Sequence, residues 1–216
     1  FYLASIKLYA AFSVADLTAV SSYFHRTSEL ATDWSPSATD PATWALDLKQ
    51  TVFSQEARLT STDPNAALSW VVGAFYASAR KREADSAVQA VGLMENATVI
   101  RQTQLEGFGQ MGFRITKRLT ARYGVRVGRT SYDSVSEAPP IARDEATEAA
   151  ITPRFDLSYR TDAGNFYYLT AAKGYRSGGV YPAVTICDES PVPFPADTLW
   201  SYEIGEKSDL LGGRLH

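Results

Sequence analysis

Apolar and polar residues alternate along most of this chain with a period of two. The clearest stretch is Leu119–Arg129, where Tyr123 and Val125 lie on one side and Arg122 and Arg126 lie on the other. Side chains of a β-strand point alternately to opposite faces, so the pattern predicts a strand with one apolar and one charged face. Similar patterns predict about nine strands: Ile6–Phe12, Leu17–Glu29, Phe53–Thr60, Leu68–Arg80, Leu105–Ile115, Leu119–Arg129, Ile151–Arg160, Phe166–Tyr175 and Trp200–Lys207.

The predicted connections alternate between short and long. Turn-forming residues predict short connections at Ser13–Asp16, Asp63–Ala66, Thr116–Arg118, Thr161–Asn165 and Asp209–Gly213. Polar stretches predict long loops at Ala31–Lys49, Glu83–Val99, Ser134–Ala149 and Ser177–Thr198. Short periplasmic turns and long extracellular loops are typical of outer-membrane barrels, whereas a soluble β-sandwich has no reason to place every long loop at one end.

Composition agrees with strands that are apolar on one face only. Hydrophobic residues make up 45% of the 216 residues and aromatic residues 12%, yet the mean hydropathy is only −0.18. No stretch reaches the roughly 18 consecutive apolar residues of a membrane-spanning helix. Several predicted strands are as long as the ~9–11 tilted residues that cross a bilayer. We therefore predict an all-β fold, a partial antiparallel transmembrane β-barrel in the bacterial outer membrane, in contact with its lipid.

About nine strands do not make a complete bacterial barrel, which has an even strand number and no open edge in lipid. The chain opens in a strand-like run, and a tenth strand is predicted to begin near Arg214. We therefore expect an internal stretch of a larger barrel, with residues 1–216 forming part of one barrel domain. The alternative is a soluble all-β binding protein or enzyme, with Tyr123 and Val125 in its core.

The net charge and the small number of cysteine and histidine residues argue against several functions. The net charge of −3 and the pI near 5.5 argue against a nucleic-acid partner. One cysteine, Cys187, and two histidines, His25 and His216, predict neither a disulfide framework nor a metal cluster. Gly107–Gly112 matches G-x-G-x-x-G, but no helix is predicted to start there, so we interpret these glycines as relieving crowding in a curved wall. No catalytic group or cofactor is predicted.

Two pairs of segments early in the chain resemble strand pairs of TonB-dependent outer-membrane receptors. They are Phe53–Ser61 (FSQEARLTS) with Trp70–Tyr76 (WVVGAFY), and Phe108–Gln110 (FGQ) with Leu119–Arg126 (LTARYGVR). The resemblance is strongest in Asn165–Gly179 (NFYYLTAAKGYRSGG), Leu199–Ser208 (LWSYEIGEKS) and Leu211–Leu215 (LGGRL).

The resemblance implies a 22-stranded barrel with an amino-terminal plug domain that lies outside this chain. It further implies uptake of a scarce small-molecule ligand such as a ferric siderophore, driven by the inner-membrane TonB complex through the missing amino-terminal part. The alternative within the membrane class is a porin-like or adhesive barrel without a plug.

Charged residues on the polar side of the predicted strands are the best functional candidates. On the lumen side of a barrel they could hold a plug through ion pairs or line a polar pathway, and arginine suits bidentate pairing with carboxylates. Solvation alone is the alternative for any one of them. The candidates are Glu56, Arg58, Arg114, Arg122, Arg126, Arg154, Asp156, Glu203 and Lys207, with Arg160 beside them.

Overall fold

The computed structural model describes residues 1–33, 35, 42–63, 66–89, 92–137, 143–180 and 193–208. Within these residues the chain is all-β. Eleven strands follow one another: β1 (Tyr2–Ala11), β2 (Ala15–Asp33), β3 (Thr43–Ser61), β4 (Leu68–Gln89), β5 (Gly92–Arg114), β6 (Leu119–Ser136), β7 (Arg143–Arg160), β8 (Phe166–Arg176), β9 (Gly179–Val180), β10 (Pro193–Phe194) and β11 (Asp197–Lys207). No helix of the described residues is long and apolar enough to cross a membrane.

Nine strands form one antiparallel sheet in the order β1-β2-β3-β4-β5-β6-β7-β8-β11, and β9 and β10 form a separate two-stranded pair. Each strand of the large sheet pairs with its neighbour in sequence, apart from the step from β8 to β11. The all-β class and the nine predicted strands are therefore confirmed, as an open sheet that is part of a barrel.

Directly paired residues lie on the same face of an antiparallel sheet, so the register defines two faces. Val125 pairs with Gly109 and Pro153, and Arg126 pairs with Phe108 and Thr152. We call these the Val125 face and the Arg126 face. Both extend from β1 to β11, because each strand of the large sheet is paired in register with the next; β7 and β8 are paired only as far as Arg154 and Ala172.

The Val125 face carries an apolar band that nothing in the described chain covers. On β4 the band runs from Leu68 to Tyr76, and on β6 it runs from Leu119 to Val127, which is nine residues in each case. This length matches the ~9–11 tilted residues that cross a bilayer. Large side chains in the band are exposed, among them Leu105 at 60% and Ile204 at 85%. Only Ala15 and Val99 are buried hydrophobic residues in the described part of the chain, so the sheet has no soluble core.

The predicted long loops are wrong over much of their length. The strands continue to Asp33, Gln89 and Ser136, and their partners begin at Thr43, Gly92 and Arg143. Only residues 90 and 91 separate β4 from β5, so the predicted loop Glu83–Val99 is almost entirely strand. The strict alternation of short and long connections therefore does not hold. Beyond the bilayer both faces meet polar surroundings, and the polar composition of these strands resembles that of a loop.

The short turns at the opposite end agree better with prediction. Connections of a few residues join β1 to β2, β5 to β6 and β7 to β8. In the last of these, Gly164 has φ +93°, which a glycine adopts without a steric penalty, and its amide donates to the Thr161 carbonyl at 3.1 Å. Part of the predicted turn Asp63–Ala66, and all of the predicted turn Asp209–Gly213 with the tenth strand near Arg214, lie outside the described residues.

Candidate functional site

All nine charged candidates lie on the Arg126 face. Arg122 pairs with Asp156, Thr170 pairs with Glu203, and Phe166 pairs with Lys207, which extends one face from β6 to β11. On the other side Phe108 pairs with Gly73, and Gly73 pairs with Arg58. The structure gathers most of the candidates in three groups on this face. Arg114 is the last residue of β5, at the lower end of the strand that also carries Glu106.

The first group surrounds Arg126. Its guanidinium lies 5.8 Å from the ring centres of both Phe75 and Phe108, and its Nε is within ion-pair distance of Glu106. The Gln104 amide donates to Glu106 at 2.6 Å. Aromatic faces attract cations, so the two rings and the carboxylate together hold the guanidinium against the sheet.

Glycine makes room for this group. A Cβ atom on Gly128 would lie 2.8 Å from Cγ of Glu106, the residue directly opposite. A Cβ on Gly73 would lie 2.8 Å from the Ala57 carbonyl oxygen and would also overlap the Phe108 ring. Both glycines therefore allow large side chains to lie flat across their neighbours on this face.

The second group is a cleft of about 520 Å³ lined by five of the candidates: Arg122, Arg154, Asp156, Glu203 and Lys207. Arg154 donates to both oxygens of Asp156, at 2.8 and 2.7 Å, and the Thr170 hydroxyl donates to Asp156 at 2.7 Å. Charged bidentate pairs of this kind are strong and orient both side chains.

The same cleft contains two cations with no ion pair to a described residue, Arg122 and Lys207. The Lys207 ammonium lies 5.8 Å from the centre of the Tyr168 ring, and the Tyr168 hydroxyl donates to Glu203 at 2.6 Å. Three cations and two carboxylates line the cleft, so its formal charge is +1. A carboxylate or another anion entering from the open side would find arginine and lysine donors available.

The third group is the pair Glu56 and Arg58 on β3, with 3.3 Å between the Arg58 guanidinium and the Glu56 carboxylate. Both side chains are substantially exposed. Exposed pairs of this kind contribute little to stability.

Glu148 is a functional candidate that the sequence reasoning missed, because it lies in the predicted loop Ser134–Ala149. It accepts three hydrogen bonds: from the Tyr175 hydroxyl at 2.9 Å, the Gly178 amide at 2.8 Å and the Ala196 amide at 3.1 Å. Tyr175 is near the end of β8, Gly178 lies between β8 and β9, and Ala196 is the residue before β11. The only sequence signal for a strand here was a pattern with a period of two, in which Asp144, Ala146 and Glu148 share a face.

A second cleft, of about 510 Å³, lies between strands β5 to β7 and residues 173–177. One side carries Gln104, Glu106, Arg126 and Thr130 of β5 and β6, and the other side carries Tyr175 and Arg176 at the end of β8. Glu148 therefore anchors the segment that forms one wall of a polar cleft on the Arg126 face.

The G-x-G-x-x-G match has no nucleotide-binding geometry. Gly92–Arg114 is one uninterrupted strand, so no helix begins at these glycines. The interpretation that they relieve crowding holds at Gly112, where a Cβ would lie 2.6 Å from the Ser69 hydroxyl oxygen. It is wrong at Gly107, where a Cβ would meet nothing within 4 Å.

No group of three or more potential metal ligands occurs among the described residues. His25 is in β2, where its Nδ1 lies 3.2 Å from the Thr51 hydroxyl. Cys187 and His216 lie outside the described residues.

A family model described as "TonB dependent receptor-like, beta-barrel" matches residues 3–215. The chain belongs to this family of TonB-dependent receptors. Barrels of the family reside in the bacterial outer membrane, which explains the exposed apolar band of this receptor chain. The family and the solved structures described next are receptors and transporters.

Solved structures share the fold at low sequence identity. The ferric yersiniabactin uptake receptor FyuA from Yersinia pestis matches with a TM-score of 0.82 and 14% identity over 96% of this chain and 33% of its own. The siderophore receptor PiuA from Acinetobacter baumannii matches with a TM-score of 0.69 and 11% identity, over 98% of this chain and 38% of its own. The copper transporter OprC matches with a TM-score of 0.62 and 13% identity, over 81% and 30% respectively. This chain therefore spans about a third of their lengths.

Proposed function

We propose that this chain forms part of the wall of a receptor that imports a metal chelate such as a ferric siderophore, driven by the TonB complex. The observation that carries the proposal is the division of the sheet into two faces. An exposed apolar band suits lipid, and clustered ion pairs on the opposite face suit a polar interior. The names of FyuA and PiuA favour a ferric siderophore as the ligand.

We further propose that the Arg126 face holds a plug domain supplied by another part of the protein. Arg122 and Lys207 support this, because both line the cleft of about 520 Å³ without an ion pair to a described residue. Acidic side chains of a plug would complete their pairing, and arginine would bind a carboxylate through two parallel hydrogen bonds. The other seven candidates on this face would line the interior around the plug: Glu56, Arg58, Arg114, Arg126, Arg154, Asp156 and Glu203.

Transport is tested in cells that lack the gene for the complete receptor, grown under iron limitation with a panel of ferric siderophores. We expect the complete receptor to restore uptake of radiolabelled iron from one of them, and a strain without a functional TonB complex to lose that uptake. Because OprC is named a copper transporter, uptake of copper is measured beside uptake of iron. Uptake that does not depend on the TonB complex would support a porin-like barrel instead.

The plug contact is tested in the purified complete receptor by amide hydrogen exchange. Loss of a hydrogen bond to a charged group costs ~1.5–3 kcal/mol, so Arg122→Gln should speed exchange in the plug segment that it holds roughly tenfold or more. Lys117→Gln is the matched control, because it removes one positive charge from the exposed turn between β5 and β6. Equal exchange of the plug in both variants would contradict the contact.

A further inference from the structure

The ladder between β7 and β8 ends well before either strand does. The two strands pair from Arg160 and Phe166 up to Arg154 and Ala172. By contrast, β6 stays paired with β7 all the way to Arg143. Above Arg154, no described strand pairs with the side of β7 that faces β8, so the wall has an open seam between these two strands.

Pro153 explains why the pairing stops at this point. The Arg160 amide donates to the Arg118 carbonyl on the β6 side at 2.9 Å, and the directions of the amides alternate along a strand. Odd-numbered residues of β7 therefore direct their amides toward β8. Pro153 is the first residue above the ladder, and it has no amide hydrogen to donate to β8.

The upper part of β8 lies across the Arg126 face instead. Glu148 of β7 is on this face, directly opposite Thr130. Its carboxylate accepts the Tyr175 hydroxyl and the Gly178 and Ala196 amides, which belong to the two arms of the hairpin formed by β8 and β11. This hairpin continues into β9 and β10, because their pairs keep the register of β8 with β11. It is therefore folded inward, where it forms one wall of the cleft of about 510 Å³.

A second position of the hairpin follows from continuing the existing register of β7 with β8. Extension of the ladder by four residues places Ala150 opposite Arg176, and extension by six residues places Glu148 opposite Gly178. This paired position gives the Ile151 amide an acceptor on β8. Ile151 lies in the apolar band, opposite Val127, and an unpaired amide at that depth is costly. In the inward position Glu148 thus binds the same glycine that it would face in the paired position.

We propose that the hairpin of β8 and β11 exchanges between the inward position and the paired position, which closes the seam. The Glu148 carboxylate stabilises the inward position, and the missing amide hydrogen of Pro153 weakens the paired one. The cleft of about 510 Å³ exists only in the inward position, because residues 173–177 form one of its walls. A molecule bound in that cleft would therefore hold the hairpin inward and the seam open. The exchange is a property of the wall, so it does not rest on the proposed transport function.

Disulfide trapping in the complete receptor tests the paired position, with Cys187→Ser as the background. Ala150→Cys with Arg176→Cys places two cysteines in a non-hydrogen-bonded pair of the extended ladder, where Cα atoms lie ~4.5 Å apart and a disulfide can form. Ala146→Cys with Arg176→Cys is the matched control, because Ala146 is on the same face of β7 but four residues, or about 13 Å, out of register. Under mild oxidation we expect the first pair to cross-link at least ~tenfold faster than the control pair.

Two further variants should shift the balance toward the paired position. Glu148→Gln keeps the shape of the side chain but removes the charge that holds three donors, so it should accelerate the cross-link between positions 150 and 176 roughly tenfold. Pro153→Val restores an amide hydrogen on the β8 side and should accelerate the same cross-link roughly threefold. Neither variant should accelerate the control pair. In the cross-linked receptor, hydrogen exchange of the Ile151 amide should slow, because β8 then accepts it.

Two results would overturn the proposal. One is equal cross-linking of the two cysteine pairs, which would mean that the hairpin moves without a second register. The other is absence of the cross-link between positions 150 and 176 when Glu148→Gln and Pro153→Val are combined, which would mean that the hairpin has only the inward position. The migration of each variant on an unheated gel checks that its barrel is folded.

Discussion

The Glu148 carboxylate accepts a hydrogen bond from the Tyr175 hydroxyl at 2.9 Å, and it also accepts the backbone amides of Gly178 and Ala196. One side chain of β7 thereby anchors the chain on both sides of residues 179–195. A carboxylate is suited to this role because its two oxygens accept several hydrogen bonds at once.

Glu148→Ala should therefore loosen the segments around Gly178 and Ala196 without unfolding the sheet. Hydrogen bonds to charged groups contribute ~1.5–3 kcal/mol, so exchange of these two amides should accelerate roughly tenfold to a hundredfold. Hydrogen exchange followed by mass spectrometry of the complete receptor provides the measurement. Glu145→Ala is the control, because Glu145 is on the same strand but on the Val125 face. Unchanged protection at Gly178 in Glu148→Ala would refute the anchoring role.

Gly73→Ala should destabilise the barrel, whereas Gly107→Ala should not. The new methyl group at position 73 would overlap the Phe108 ring and lie 2.8 Å from the backbone oxygen of Ala57, which cannot move independently of its strand. Overpacking of this kind costs ~1–3 kcal/mol. At Gly107, the neighbour of Phe108 in β5, the methyl group meets nothing within 4 Å. Migration on a gel distinguishes the folded barrel from the heated, unfolded chain. The temperature at which half of the protein has lost the folded form should fall for Gly73→Ala and not for Gly107→Ala.

A charge placed in the apolar band should be costly at its centre and tolerated above its edge. Arginine at the bilayer midplane of a barrel costs ~2–4 kcal/mol, and near the interface it costs ~0–1 kcal/mol. Val125→Arg lies near the centre of the band on β6, and Thr103→Arg lies above the band on the same face. Denaturant titration in lipid vesicles should show the larger loss for Val125→Arg. Equal losses would contradict the position of the band.

Arg154 and Asp156 should show measurable coupling in a double-mutant cycle with Arg154→Gln and Asp156→Asn. The Asp156 side chain is 17% exposed and Arg154 is 55% exposed, so solvent weakens the pair and a coupling of about 0.5–1.5 kcal/mol is expected. Arg143 and Glu145 form the matched control on the Val125 face of the same strand, with side chains 62% and 64% exposed. Their coupling should be smaller, at ~0.5 kcal/mol or less. A larger coupling in the control would contradict the role of burial.

Sequence patterns predicted the lower part of the sheet well and the upper part poorly. Alternation from Leu119 to Val127 identified β6 and its two faces, because lipid on one side and polar groups on the other require a period of two there. The same signal is present at Trp44, Leu46 and Leu48, yet this stretch was predicted as a loop. Its phase is opposite to that of Ala57 and Leu59, and the change of phase in mid-strand obscured one long strand.

The alternating sequence by itself determined the all-β class, the nine strands of the sheet and the face on which each charged candidate lies. These properties are local, because the parity of a position along a strand decides its face. Only the tertiary structure decided how far the strands extend beyond the bilayer, which cations lie together and what Glu148 binds. Tyr175, Gly178 and Ala196 reach Glu148 from 27, 30 and 48 residues away. Neither alternation nor composition records such contacts, because they depend on strand register and on where the end of β8 lies against the sheet.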